Sequence, residues 1–228
     1  MQFSESMMIH SVESFLRPEE VSLVLSHADA IKSSRPAADL QAAANGKSVH
    51  AHAKLDARQV AAVFEPEGRV EIHDLPAAAI ETLDAAFFRN IDSIRRVYPS
   101  ATWPRSWTYV EYAIGQLCTE HADGLGGGFN VAACNVLLAD GFSGGEFFVD
   151  TTGSEQLWLP SENRLGPAST YSNDWFRSIP KTRWTSSPAV GTAMFYGSQI
   201  VHGTLPVRSG TARKVLCWIE ADSPLGTG

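Results

Sequence analysis

Two His-Ala-Asp triplets occur in this chain, SHADA at positions 26–30 and EHADG at 120–124. An imidazole and a carboxylate two residues apart supply half of a metal site if the backbone points both side chains the same way. SHADA lies inside RPEEVSLVLSHADAIKS, where Leu and Val recur at helical spacing after Glu19 and Glu20. Residues two apart on a helix are separated by about 200° around its axis, so His27 and Asp29 diverge. EHADG instead follows the strand-like run WTYVEYAIGQLCTEH. In extended backbone residues i and i+2 share a face, so His121 and Asp123 converge.

A third ligand is available in GTAMFYGSQIVHGTLPV, where His202 again sits on a β-type run beside a turn. Two imidazoles and one carboxylate on one face of a metal, with three positions open, form the arrangement of non-haem Fe(II) oxygenases. A bidentate 2-oxo acid fills two open positions and dioxygen the third, whereas a closed four-ligand site has no room for substrates. His50 and His52 in VHAHAK share the i, i+2 spacing, with His73 downstream, but lack a strand pattern and a carboxylate at comparable spacing. They read as loop histidines, and His10 stands alone.

The elements that must position the triad fall into two textures. After a short strand near Met8 to His10 comes the helix containing SHADA; residues 34 to 72 read as loop with one or two short strands, such as one around Arg69 to Ile72. Leu75 to Pro99 reads as one long helix ended by proline. From Trp107 onward, short β-rich runs (TYVEYAI, VAACNVLLA, GEFFV, TAMFYG, KVLCWIE) alternate with Gly-rich turns, the pattern of a sandwich or barrel. The expectation is one α+β, mainly β domain over 1–228, with a helical support region 1–105 and a β core 106–222. Trp103 and Trp107 are expected in the core.

The 228 residues are 44% hydrophobic and 19% charged, as in an ordinary soluble protein. No apolar run is long enough to cross a bilayer, and MQFSESMMIHSVESFL lacks a basic region followed by an apolar one, so a cytoplasmic protein is expected. A net charge of -7 argues against nucleic acid as the main partner. Cys118, Cys134 and Cys217, widely spaced in apolar sequence, read as buried reduced thiols. Oligomeric state is not legible.

The run from Trp107 to Glu220 resembles the Fe(II)- and 2-oxoglutarate-dependent dioxygenases, particularly the prolyl-4-hydroxylase-like branch. Tyr112, Gly115, His121 and Asp123 match that branch's Y-x-x-G-x-x-x-x-x-H-x-D; GFSGGEFFV resembles its Gly-Gly-Glu strand, PAVGTAMFYG its pre-histidine strand and HGTLPVRSGTARKVLCWIE its histidine-to-Trp ending. The resemblance implies a double-stranded β-helix (distorted jelly roll) with N-terminal supporting helices. It implies Fe(II), with 2-oxoglutarate and dioxygen as cosubstrates, and a catalytic metal triad of His121, Asp123 and His202. Family members place a cation for the distal 2-oxoglutarate carboxylate on the strand after the last histidine. Arg213 and Lys214 both lie near that position, and Arg213 is preferred because its planar fork suits a carboxylate. Tyr112 either offers a hydroxyl to the cosubstrate or is a buried strand aromatic. Asn135 either faces the cavity or hydrogen-bonds internally. Halogenating relatives replace the carboxylate by Gly or Ala, so Asp123 favours hydroxylation or another oxidation initiated by hydrogen abstraction.

The segment 151–188 is longer than in compact relatives and carries Trp175, Arg177, Arg183 and Trp184 among other aromatic and basic residues. It reads either as a lid over a small polar substrate with an acidic group or as an elaboration outside the barrel. The expected activity is hydroxylation of an unactivated C–H bond in a small amino-acid-like or natural-product substrate. The alternatives are a prolyl hydroxylase acting on a peptide or protein and a non-enzymatic, metal-retaining cupin-like ligand binder.

Overall fold

The structure, a computed structural model, describes residues 1–41, 56–123, 129–151 and 182–223. Its centre is two facing antiparallel sheets. The larger has the strand order β1 (Ile9–Val12), β9 (Ala193–Gly197), β5 (Asn130–Leu137), β12 (Ala212–Ala221), β3 (Ala101–Tyr112) and β2 (Val70–Ile72). The smaller has the order β4 (Cys118–His121), β10 (Val201–Thr204), β7 (Phe147–Thr151) and β8 (Thr182–Ser186), and a two-stranded ribbon joins β6 (Ser143–Gly144) to β11 (Val207–Ser209). This is the mainly β, double-stranded β-helix architecture expected. The strands that carry it are buried on both faces: every residue of β5 and β9 is buried.

One face of the large sheet is covered by helices. In α1 (Pro18–Ser34), Val21, Val24, Ala28 and Ile31 recur at helical spacing and are buried, and the Glu20 carboxylate accepts the Arg17 backbone N–H at the helix start. Glu20 also receives the guanidinium of Arg89 on α4 (Ala77–Arg89), which ties the two helices together. Phe15, Leu83, Phe87, Tyr98, Phe195 and Ile219 share this core. Among the described residues no helix is long and apolar enough to cross a membrane.

Four local expectations need correction. The helical signal of 75–99 divides into α4 and α5 (Ile91–Arg95) at Asn90, whose amide donates to the Ala86 carbonyl and whose ψ is 7°. Two further helices, α2 (Ala37–Leu40) and α3 (Ala57–Phe64), lie in the stretch read as loop; α3 starts on an Asp56–Gln59 capping box. Strand β3 begins at Ala101, and Trp103 is 50% exposed, its ring tilted 57° to that of Phe88 with centroids 5.1 Å apart. Trp107 is buried and donates to Asp84. Finally, the end of the 151–188 segment is part of the small sheet, because 182–186 pair with β7.

Candidate metal centre

His121 closes β4 and His202 sits in β10, where the two are directly opposed cross-strand partners, so their rings share one face. The rings lie 4.4 Å apart between centroids. Asp123, two residues on, places Oδ1 at 3.6 Å from His121 Nε2 and 3.9 Å from His202 Nε2. One ligand atom from each of the three lies within 4.8 Å of the others. Each imidazole is oriented from behind: His121 Nδ1 bonds the Thr119 carbonyl at 2.7 Å and His202 Nδ1 the Ile200 carbonyl at 2.9 Å. That fixes the Nδ1–H tautomer and presents both Nε2 lone pairs to the carboxylate side, the usual preparation of metal-binding histidines. The donor set therefore fits a divalent first-row metal.

Neighbouring residues seal this corner. Tyr196 and Phe147 flank the His202 ring at 4.2 and 5.7 Å, and Phe64 lies 5.3 Å from His121. Gly203 lets β10 pack closely: a Cβ there would meet the Phe148 ring at 2.5 Å and the Cys118 carbonyl at 2.6 Å.

From the triad a cleft of about 540 Å³, including space open to solvent, runs between the sheets past Tyr112, Asn135, Lys214 and Arg69. Lys214 is buried and donates to the Gly145 carbonyl at 3.1 Å. The turn that supplies this carbonyl needs glycine at 144, where φ is +73°. Burial pushes the Lys214 ammonium down to about 8, with the Arg69 charge adding to the shift and Cys118 and Glu146 opposing it.

Arg213, the residue preferred for the cosubstrate, faces away from this cleft. Adjacent strand residues point to opposite faces, and Val215, Cys217 and Ile219 of β12 belong to the core under the helices, so Arg213 falls on the helix side while Lys214 lines the cleft. There its Nε donates to the Tyr109 hydroxyl and its Nη2 to Asp29 on α1, both at 2.5 Å. Asp29 of SHADA is thus engaged in an ion pair between α1 and β12. Tyr112 and Asn135 do line the cleft and are buried.

The expected substrate residues separate. Trp175 and Arg177 lie outside the described residues. Arg183 grips the buried Asp150 with two bonds, of 2.7 and 2.8 Å, and covers the Phe148 ring at 3.8 Å. Trp184 belongs to the other face: His121, His202, Val149 and Trp184 are successive partners across β4, β10, β7 and β8, so its indole shares the inner face with the metal ligands. It is 46% exposed.

One buried charge in the cleft had no place in the sequence reading. Arg69, just before β2, is fully buried, with Nε and Nη2 on Glu71 at 2.9 and 2.6 Å, Nη2 at 3.0 Å from Glu65, and Nη1 donating to the Tyr112 hydroxyl. His73 approaches the other Glu71 oxygen at 2.9 Å. Although burial opposes it, Arg69 and His73 hold Glu71 low, while burial and the nearby Glu71 raise Glu65 against the pull of Arg69. The spacing Glu65, Arg69, Glu71 was the available clue.

No family model matches the sequence, and no curated protein matches it closely. Solved structures share its fold at low identity. A prolyl-4-hydroxylase from Pseudomonas putida matches over 94% of this chain and 93% of its own, with a TM-score of 0.55 and 12% identity. A prolyl hydroxylase from Trichoplax adhaerens, solved with a hypoxia inducible factor oxygen degradation domain peptide fragment, covers 94% and 84% with a TM-score of 0.57 and 13% identity. SnoN, the non-heme alpha ketoglutarate dependent epimerase from nogalamycin biosynthesis, covers 96% and 82% with a TM-score of 0.57 and 14% identity.

Proposed function

We propose that this chain is an Fe(II)- and 2-oxoglutarate-dependent oxygenase that hydroxylates an unactivated C–H bond of a small amino-acid-like or natural-product substrate. The observation that carries this reading is the convergence of His121, Asp123 and His202 at one end of a cleft whose wall holds the buried ammonium of Lys214. A facial set of two imidazoles and a carboxylate leaves open positions for a bidentate 2-oxo acid. The buried cation supplies what such an acid needs at its far end, a charge-assisted partner for a second carboxylate.

His121, Asp123 and His202 would hold Fe(II), which when bound would supply dioxygen activation coupled to decarboxylation of 2-oxoglutarate to succinate and carbon dioxide, with one oxygen atom going to the substrate. The protein's own work is positioning and exclusion of water. The Thr119 and Ile200 carbonyls hold the two imidazoles in register. Lys214 takes the distal carboxylate, replacing Arg213 in that role, and Gly145 steers the ammonium by accepting one of its three hydrogens. Tyr112 and Asn135 add neutral polar contacts along the cosubstrate. Phe147 and Tyr196 keep water from the His202 side. Trp184, in the same inner row as the ligands, meets the substrate at the mouth; Arg183, committed to Asp150, is a structural residue.

The test is succinate release from 2-oxoglutarate with Fe(II), followed by a mass-spectrometric screen of free amino acids and proline-containing peptides for a gain of one oxygen. Succinate formation lost in His121→Ala and oxidation of a small molecule support the reading. Oxidation of peptides alone moves the substrate to the class bound by the Trichoplax enzyme. No succinate with any candidate, coupled or uncoupled, leaves a metal-retaining ligand binder.

A further inference from the structure

The Tyr112 hydroxyl is the point where the cleft meets the N-terminal region. Arg69 Nη1 donates to its oxygen, and a guanidinium cannot accept. The phenol's own hydrogen is therefore left to go elsewhere, and among the described residues no hydrogen bond has it as donor. Burial pushes the phenol's ionisation up, so that hydrogen stays on the oxygen. Two cations lie near the ring: the Arg69 guanidinium carbon is 5.1 Å from its centroid and the Lys214 Nζ 5.7 Å. Both cations, like Tyr112, line the cleft. Glu71 grips Arg69 by two nitrogens and Glu65 lies against one of them, so Arg69 is fixed rather than offered to a ligand.

We propose that Arg69 is a positioning residue for the dicarboxylate cosubstrate: by occupying the Tyr112 oxygen lone pair it directs the phenol hydrogen into the cleft, where it and Lys214 together bind the distal carboxylate. This rests on the oxygenase reading and deepens it. The binding end of the cleft is then built from two parts of the chain, with β12 and β3 supplying Lys214 and Tyr112 and the segment before β2 supplying the group that sets the phenol's direction. A buried hydroxyl free to rotate would otherwise lose part of its preference for the carboxylate.

The experiment measures binding without turnover, by anaerobic calorimetry on the Mn(II)-loaded protein with 2-oxoglutarate and with 2-oxobutyrate, which lacks the distal carboxylate. Arg69→Met is made in a Glu71→Gln background so that no ionised carboxylate is stranded, each with Tyr112 and with Tyr112→Phe. With Tyr112 present, loss of Arg69 is expected to weaken 2-oxoglutarate about 10-fold, the scale of one hydrogen bond to a charged group. With Phe at 112 the same loss changes binding less than about 2-fold, since coupled residues are non-additive. Binding of 2-oxobutyrate stays the same throughout. Arg69→Lys, which keeps the charge but loses the fork, shows the same pattern at smaller size and serves if the paired variant does not fold. Equal effects of Arg69 loss in both backgrounds, or equal weakening of both oxo acids, overturn the proposal alone. A wild-type protein that binds neither acid overturns it together with the oxygenase reading.

Discussion

His121 and His202 are cross-strand partners whose rings lie 4.4 Å apart, each turned by a backbone carbonyl accepting from its Nδ1. Two separate strands therefore present one chelating face, and Asp123 completes it from just beyond the end of β4. Removing any one ligand leaves a bidentate remnant. His121→Ala, Asp123→Ala and His202→Ala are each expected to lower Fe(II) affinity at least about 100-fold, more than loss of an outer partner does. Metal content after dialysis, by atomic absorption, checks this; retention of stoichiometric iron in two of the three variants contradicts it.

Lys214 and Arg213 are adjacent in sequence and opposite in role. Lys214→Met is expected to raise the 2-oxoglutarate KM about 100-fold by removing a buried charged partner. Arg213→Met leaves that KM unchanged and costs about 1–3 kcal/mol of stability through its bonds to Tyr109 and Asp29. Steady-state kinetics and chemical denaturation of the two variants separate the roles.

The choice between those neighbours shows where the sequence stops being legible. On β12 the helix side (Val215, Cys217, Ile219) is buried and the cleft side (Leu216, Trp218) only partly so, yet both sets are apolar in sequence. Period-2 reasoning needs a polar face to assign in and out, and Leu216 and Trp218 do not supply one. The HxD pair was legible because its two side chains converge only on extended backbone, and the runs flanking the two triplets differ in period. Arg69 was not, because a buried arginine is marked only by its counter-charges, and Glu65 and Glu71 look like ordinary surface acids in a segment without periodicity.

The Lys214 ammonium also predicts a pH dependence. Its value of about 8 in the free protein lies below the ordinary lysine value of 10.5, so above about pH 8 the folded protein presents a neutral amine. Affinity for 2-oxoglutarate is expected to fall as pH rises through about 8, and binding near pH 8.5 to take up a proton as the carboxylate restores the ammonium. Folding stability moves the other way. Between about 8 and 10.5 the unfolded chain binds more protons at this residue, so its contribution to stability rises with pH. Calorimetry in buffers of different ionisation enthalpy measures the proton; proton release on binding contradicts the assignment.

Arg183 and Trp184 give a paired prediction on β8. Arg183→Ala strands the buried Asp150 carboxylate and is expected to cost on the order of 2 kcal/mol with little change in substrate KM. Trp184→Ala keeps stability within about 1 kcal/mol, being half exposed, and raises the KM of the oxidised substrate without altering that of 2-oxoglutarate. Thermal midpoints and the two KM values distinguish these outcomes.

The most direct test of the account is anaerobic calorimetry of 2-oxoglutarate against the metal-free and the Fe(II)-loaded protein. Chelation at the triad predicts one site whose affinity is at least about 100-fold higher with Fe(II), and His202→Ala should abolish that gain. Equal affinity with and without Fe(II), or an Fe(II)-dependent gain that survives in His202→Ala, would contradict it.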